Sequence, residues 1–104
     1  LMRTTPAENR LLGEEIGHKA AAAKSPTEIV LPRQGVSALD QTGKAFVDPI
    51  ARQELFAGIR STAQSVPITE VDQHINAPTF AELAAQRLLS LLATSPSRPL
   101  PAPA

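Results

Sequence analysis

The chain has 104 residues, with ten basic and ten acidic side chains, so its formal net charge at neutral pH is zero. No stretch concentrates positive charge and the three aromatic residues are all Phe, which argues against nucleic acid as a partner. The lack of cysteine excludes disulfides and is typical of the cytoplasm, and no apolar run approaches the ~20 residues that cross a bilayer.

The first predicted unit is a strand end that leads directly into a helix. Leu1 to Thr4 is rich in large or β-branched residues, and Thr5-Pro6-Ala7-Glu8 is a capping-box pattern with Pro at the first helical position. We expect a helix from about residue 6 to 23, in which Gly13 and Gly17 permit close approach to a sheet. The side chains predicted to face the core are Leu12, Ile16, Ala20 and Ala23.

The second predicted strand is Thr27 to Leu31, which follows the stop signal Ser25-Pro26. Its continuous apolar stretch is typical of a strand buried on both faces of a parallel sheet. After Pro32 comes a polar, Gly-containing segment of fifteen residues, Arg33 to Val47. Loops of that length inside compact domains are uncommon and often functional.

Two further helices and a strand complete the pattern. Asp48-Pro49 predicts a capped helix to about residue 63, and Val66 to Val71 predicts a strand with Pro67 confined to its start. A last helix should run from Pro78 to about Ala93. The side chains predicted to be buried are Ala51, Leu55, Phe56 and Ile59 on the former helix, and Phe80, Leu83, Ala84, Leu88, Leu91 and Leu92 on the latter.

The order of elements predicts an α/β fold. Residues 1–93 would form the C-terminal part of an open, mostly parallel, Rossmann-like sheet in β-α-β-α-β-α order. Residues 94–104 contain four prolines among small residues and predict a disordered tail. Because a complete doubly wound fold needs more strands than these, we expect the chain to be the closing piece of a larger protein.

Ligands of open parallel sheets bind beyond the carboxyl ends of the strands, where loops and helix N-termini converge. Three segments should share that edge: Thr4-Thr5, the loop Gly35 to Asp40, and the turn His74 to Asn76. Helix N-termini beside such loops favour an anionic ligand. The ligand-binding candidates are Gly35, Val36, Ser37, Asp40, His74 and Asn76.

Each candidate also has a plain structural interpretation. Ser37, His74 and either Asp40 or Asp72 could form a nucleophilic triad, but the signal is weak and favours Ser37 as a turn or cap residue. His74 could contact a ligand or bond to neighbouring backbone. Gly35 could supply a positive φ or a close approach, and Asp40 could face Mg²⁺ or accept a turn hydrogen bond. With two histidines and no cysteine, no metal site is expected.

The motifs Gly35-Val36-Ser37-Ala38-Leu39-Asp40 and His74-Ile75-Asn76, in this order and spacing, carry a resemblance to a known family. The chain resembles the C-terminal part of the ATP-binding domain family of the tomato mosaic virus resistance protein and its uncharacterised bacterial relatives. The resemblance implies two Rossmann-type halves, binding of a nucleotide such as ATP, with Mg²⁺ as an optional companion ion, and in the plant member binding of viral replication proteins. It implies no demonstrated reaction. One departure is Ala77, where the family usually has an acidic helix cap.

Three classes of function follow from these features. The first is a nucleotide-binding α/β module that contributes its strand-end loops to a site completed by upstream sequence. The second is a metabolic enzyme, a hydrolase or ligase, acting on a small anionic substrate at the same edge. The third is an interaction or assembly domain. The expected partner is the remainder of the same protein, a homo-oligomer stays open, and no membrane is expected.

Overall fold

The computed structural model describes residues 3–94 of the chain. Helices and strands alternate along it, as the sequence predicts for an α/β fold. In chain order the elements are α1 (Pro6–Ala21), β1 (Ile29–Pro32), α2 (Pro49–Thr62), β2 (Ile68–Val71) and α3 (Pro78–Thr94). No helix within this described part is long and apolar enough to cross a membrane.

The predicted strand end before α1 is absent from residues 3–5, which have no regular secondary structure. Thr5 is instead the N-cap of α1. Its hydroxyl accepts a hydrogen bond from the Glu8 N–H, and the Glu8 carboxylate accepts one from the Thr5 N–H. These two bonds form the predicted capping box. Leu1, Met2 and the predicted tail after Thr94 lie outside the described residues.

The sheet has two strands, β1 and β2, and they pair in parallel. Ile29 lies opposite Ile68, and Pro32 lies opposite Val71. Both strands begin two residues later than predicted, because the ladder starts where the Ile29 N–H donates to the Pro67 carbonyl oxygen at 2.9 Å. The α/β class is therefore confirmed, whereas a Rossmann-like strand order needs more strands than the two that residues 3–94 contain.

The core lies between β1 and α2. Leu31 of β1 packs in one buried cluster with Phe56, Ile59 and Ala63, and Ala51 is fully buried. The predicted stripe of α2 is confirmed, with Leu55 partly buried at its edge.

Helix α1 packs against α2, and not against a sheet as its glycines were expected to allow. A Cβ at Gly13 would lie 2.1 Å from the Leu55 carbonyl oxygen, and one at Gly17 would lie 1.9 Å from the Thr62 hydroxyl. From α2, a Cβ at Gly58 would lie 2.4 Å from the Arg10 carbonyl oxygen. The glycines therefore bring the two helix backbones into direct contact.

The predicted apolar face of α1 is wrong for the same reason. The buried residues of the helix are Asn9, Gly13 and Gly17, whereas Leu12 and Ile16 are each 45% exposed. Hydrophobic periodicity detects faces made of large apolar side chains. The contact of α1 with α2 is made by small residues, so periodicity did not detect it.

Helix α3 buries Phe80 but leaves Leu88 and Leu92 more exposed than predicted, at 56% and 50%. Leu83, Ala84 and Leu91 are partly buried. Away from Phe80, the helix is tied down by an ion pair: Arg87 donates from Nε and Nη2 to the two carboxylate oxygens of Glu28, each at 2.7 Å. Bidentate pairs of this kind are among the stronger hydrogen bonds in proteins.

This ion pair makes the attachment of α3 sensitive to acid. The Arg87 hydrogen bonds hold the pKa of Glu28 below its ordinary 4.5 against the opposing effect of burial, with Thr69 assisting. A lowered pKa stabilises the fold above the ordinary value, and the contribution is lost as the pH falls through the lowered value. We expect amide exchange in α3 to accelerate on acidification below about pH 4.5.

The matched variant is Glu28→Gln, which should show fast exchange in α3 at neutral pH and no further acid effect there. Exchange followed by mass spectrometry at several pH values, corrected for the intrinsic rate, measures both. Equal protection of α3 in the parent and the variant at neutral pH would contradict this role of the pair.

Candidate functional site

The two candidate loops meet at the carboxyl edge of the sheet. Beyond the strands, Gly35 and His74 form a further parallel bridge, and the Ile75 N–H donates to the Gly35 carbonyl oxygen at 2.9 Å. The ladder thus continues into the loops after β1 and β2. The sequence prediction that these loops share one edge is confirmed.

Gly35 has both properties that its sequence position suggested. Its φ is +147°, in the region that favours glycine. A Cβ at this position would lie 1.8 Å from the Asp40 carbonyl oxygen and 2.5 Å from Cδ2 of His74. The loop can therefore fold back on itself and receive the His74 ring only because residue 35 has no side chain.

Both ring nitrogens of His74 make hydrogen bonds, one within its own turn and one to the other loop. The Asn76 N–H donates to Nδ1 at 3.1 Å, so Nδ1 accepts and the ring proton lies on Nε2. Nε2 then donates to the Ser37 carbonyl oxygen at 2.7 Å. Of the two interpretations, the structural bond to backbone is the one that the geometry shows.

Asp40 is fully buried and closes the Gly35 to Asp40 loop. Its Oδ2 accepts the Val36 N–H at 3.0 Å. Its Oδ1 accepts from Nη1 of Arg52 at 3.0 Å and pairs with Nη1 of Arg3 at 3.3 Å. Burial alone would raise the pKa of Asp40, but the Val36 N–H, Arg52 and Arg3 together hold this pKa below its ordinary 3.8.

Two residues of this cluster were missed from the sequence. Arg52 is buried on α2, beside the predicted stripe position Ala51, and Arg3 brings the segment before α1 to the same edge. The signal available in the sequence was indirect: a buried carboxylate needs a cationic partner, but nothing in the spacing identified Asp40 as buried.

The residues of the suggested triad come together without forming one. The Ser37 hydroxyl oxygen lies 3.3 Å from the Asp40 N–H, which donates to it. His74 bonds to the carbonyl oxygen of Ser37 and not to its hydroxyl. Asp72 bonds to the side chain of Gln34. A triad requires the base to contact the hydroxyl and the acid to contact the base, and neither contact is present.

The outer part of the loop offers unpaired backbone donors. The N–H groups of Ser37, Ala38 and Leu39 make no hydrogen bond within residues 3–94, and all three residues are exposed. On the neighbouring turn, Ala77 stands just before α3, and within residues 3–94 Asn76 makes no hydrogen bond other than that of its own N–H. The start of α3 therefore has no side-chain cap from Asn76.

Metal ligands are not gathered at this edge. Among the described residues 3–94, no group of three or more His, Asp or Glu side chains could hold a metal ion. Asp40 in particular already binds two guanidinium groups. What the edge presents is a set of hydrogen-bond donors, which favours anions.

The C-terminal domain model of the uncharacterised protein family UPF0261 matches residues 1–92. The chain belongs to this family. A UPF0261 protein of Rhizobium meliloti is 41% identical over 87 residues, and one of Clostridium tetani is 36% identical over 94 residues. The ToMV resistance protein Tm-1(GCR237) of Solanum lycopersicum is 34% identical over 94 residues.

These UPF0261 relatives are much longer than the region they share with the chain. The matched segments cover 81% of the chain and 22% of the Rhizobium protein, 88% and 23% for the Clostridium protein, and 88% and 12% for the tomato protein. The chain thus spans less than a quarter of the length of the curated relatives it matches.

Proposed function

We propose that the chain is part of an ATP- or nucleotide-binding α/β protein with a Rossmann-like sheet, to which it contributes the Gly35 to Asp40 loop and the His74 to Asn76 turn. The observation that carries the proposal is the bond from His74 Nε2 to the Ser37 carbonyl oxygen. It fixes both loops as one unit at the carboxyl edge, where nucleotides bind in parallel α/β sheets.

The donors at this edge fit the phosphate groups of ATP. The unpaired N–H groups of Ser37, Ala38 and Leu39 are consecutive and exposed, and backbone N–H groups are common phosphate partners. The Ser37 hydroxyl can donate as well, because its oxygen serves only as acceptor for Asp40. ATP is also the ligand implied by the resemblance that the Gly35 to Asp40 and His74 to Asn76 motifs carry.

Mg²⁺ does not fit at Asp40. Both oxygens of this buried carboxylate are occupied, by Val36 on one side and by Arg52 and Arg3 on the other. The two guanidinium groups would also repel a cation. The role of Asp40 in the proposed site is to hold the loop in shape.

The partner in this proposal is the remainder of a longer polypeptide, because the UPF0261 relatives carry three quarters of their length outside the matched segment. Exposed apolar side chains on α1 and α3 offer it two surfaces. They are Leu11, Leu12 and Ile16 on α1, and Leu88, Leu89 and Leu92 on α3. The proposed location is the cytoplasm, because the sequence contains no cysteine.

A chimera tests the proposal. The chain replaces the matching 87-residue segment of the Rhizobium meliloti relative, and ATP affinity is measured by calorimetry. In this chimera, Ala38→Glu places a carboxylate beside the unpaired N–H groups, where it should repel phosphate and weaken ATP binding by about tenfold or more. Ala38 is exposed, so the melting temperature should not change.

The matched control is Ala85→Glu, the same change at an exposed position of α3, which should leave ATP affinity as it is. ATP binding that is absent from the chimera, or equally tight with Ala38→Glu, would refute the nucleotide proposal. Turnover of a small anionic substrate that His74→Ala abolishes would favour the enzyme alternative, and partner binding without any ligand would favour an assembly domain.

A further inference from the structure

A cleft lined by arginines lies between the end of β1, helix α2 and strand β2. Its volume is about 190 Å³, and its apolar walls are Pro49 and Phe56. Three arginines line it, Arg33, Arg52 and Arg60, together with one acidic residue, Glu70. None of these side chains was a candidate from the sequence, because they are separated along the chain and gathered only by the fold.

The charges in and beside the cleft do not cancel. Arg60 pairs with Glu70. Arg52 pairs with Asp40, but Asp40 also pairs with Arg3. One carboxylate is thus shared by two guanidinium groups, which leaves one positive charge uncompensated.

Arg33 adds a second surplus cation, because it makes no ion pair within residues 3–94. Its backbone is nevertheless fixed, since its N–H donates to the Val71 carbonyl oxygen at 2.9 Å. Four arginines thus face two carboxylates, which leaves two positive charges at the cleft.

We propose that this cleft binds a phosphate group. A surplus of two positive charges matches a dianion, and guanidinium groups bind phosphate oxygens in pairs of parallel hydrogen bonds. Arg33, just after β1, is exposed and can bind the ligand directly, and Arg60 of α2 can turn from Glu70 towards it. Arg52 is buried beside Asp40 and adds its positive charge from the wall of the cleft. The site stands apart from the proposed nucleotide edge, because it uses none of the N–H groups of residues 37–39.

The test is calorimetry of inorganic phosphate with the 104-residue chain at pH 7.5 and low ionic strength, where phosphate is mainly a dianion. Arg33→Gln should weaken phosphate binding by about tenfold, because it removes a charged donor. Glu70→Gln should tighten binding by about threefold, because it removes the carboxylate that competes for Arg60. Both side chains are exposed, and thermal melts confirm that each variant is folded.

The control is Lys24→Gln, which removes one positive charge from an exposed position in the segment after α1 and should leave the affinity unchanged. An equal loss in Lys24→Gln would show attraction to overall charge only, and overturn the proposal. No binding by the parent chain, or weaker binding in Glu70→Gln, would also overturn it. If acetate binds as tightly as phosphate, the cleft is a carboxylate site and the phosphate proposal is wrong.

Discussion

Replacing Asp40 with alanine should lower the free energy of unfolding by about 3 kcal/mol, because it removes one partner of a buried, hydrogen-bonded ion pair. The Arg52 side chain is 9% exposed, and its guanidinium would lose its acceptor. The Val36 N–H would lose its partner too. The Gly35 to Asp40 loop should then open, and thermal or urea denaturation measures the loss.

The control for this prediction is Asp72→Ala. Asp72 also follows a strand, but it is exposed and bonds only to the side chain of Gln34, so the change should cost less than about 0.5 kcal/mol. Asp40→Asn keeps the shape and should fall between the two. If Asp40→Ala is as stable as Asp72→Ala, Asp40 does not hold the Gly35 to Asp40 loop in shape.

Apart from the strand end before α1, the elements of residues 3–94 and their order could be predicted, because local signals are strong in this chain. Thr5-Pro6 and Asp48-Pro49 start helices as expected, and the Asp48 carboxylate accepts the Ala51 N–H at 3.0 Å. The meeting of the loops after β1 and β2 followed from parallel pairing alone. These features depend on neighbours in sequence or on a general rule of topology.

What the sequence did not predict depends on contacts between distant segments. The burial of Asp40 is set by Arg52, twelve residues away, and by Arg3. The cleft combines Arg33 from the loop after β1, Arg60 from α2 and Glu70 from β2. Periodicity reports which side chains are apolar, but it does not report which cation a carboxylate will meet.

The packing of α1 on α2 also depends on a contact between distant segments that periodicity did not predict. Large apolar residues at helical spacing predicted Leu12 and Ile16 as the core face, and both are largely exposed. The contact with α2 is made instead through Gly13 and Gly17, where close approach of backbones compensates for missing side chains. Glycine contributes nothing to a hydrophobic pattern, so a contact of this type leaves no periodic signal.

The strongest test of that contact is Gly13→Ala. On an exposed helix this change would stabilise by about 1 kcal/mol. Here the new Cβ would lie 2.1 Å from the Leu55 carbonyl oxygen and 3.0 Å from the Ile59 nitrogen. Both are backbone atoms of α2, so the helices must separate, and we expect a net loss of about 2–3 kcal/mol in the free energy of unfolding.

Glu15→Ala places the same side chain on the exposed side of the same helix and should change stability by less than about 0.5 kcal/mol. Gly58→Ala, from the α2 side, should act like Gly13→Ala, since its Cβ would lie 2.4 Å from the Arg10 carbonyl oxygen. The double variant should lose less than the two single losses together, because either change alone already separates the helices. If Gly13→Ala instead raises the melting temperature, as in a free helix, then α1 does not pack on α2 through this face.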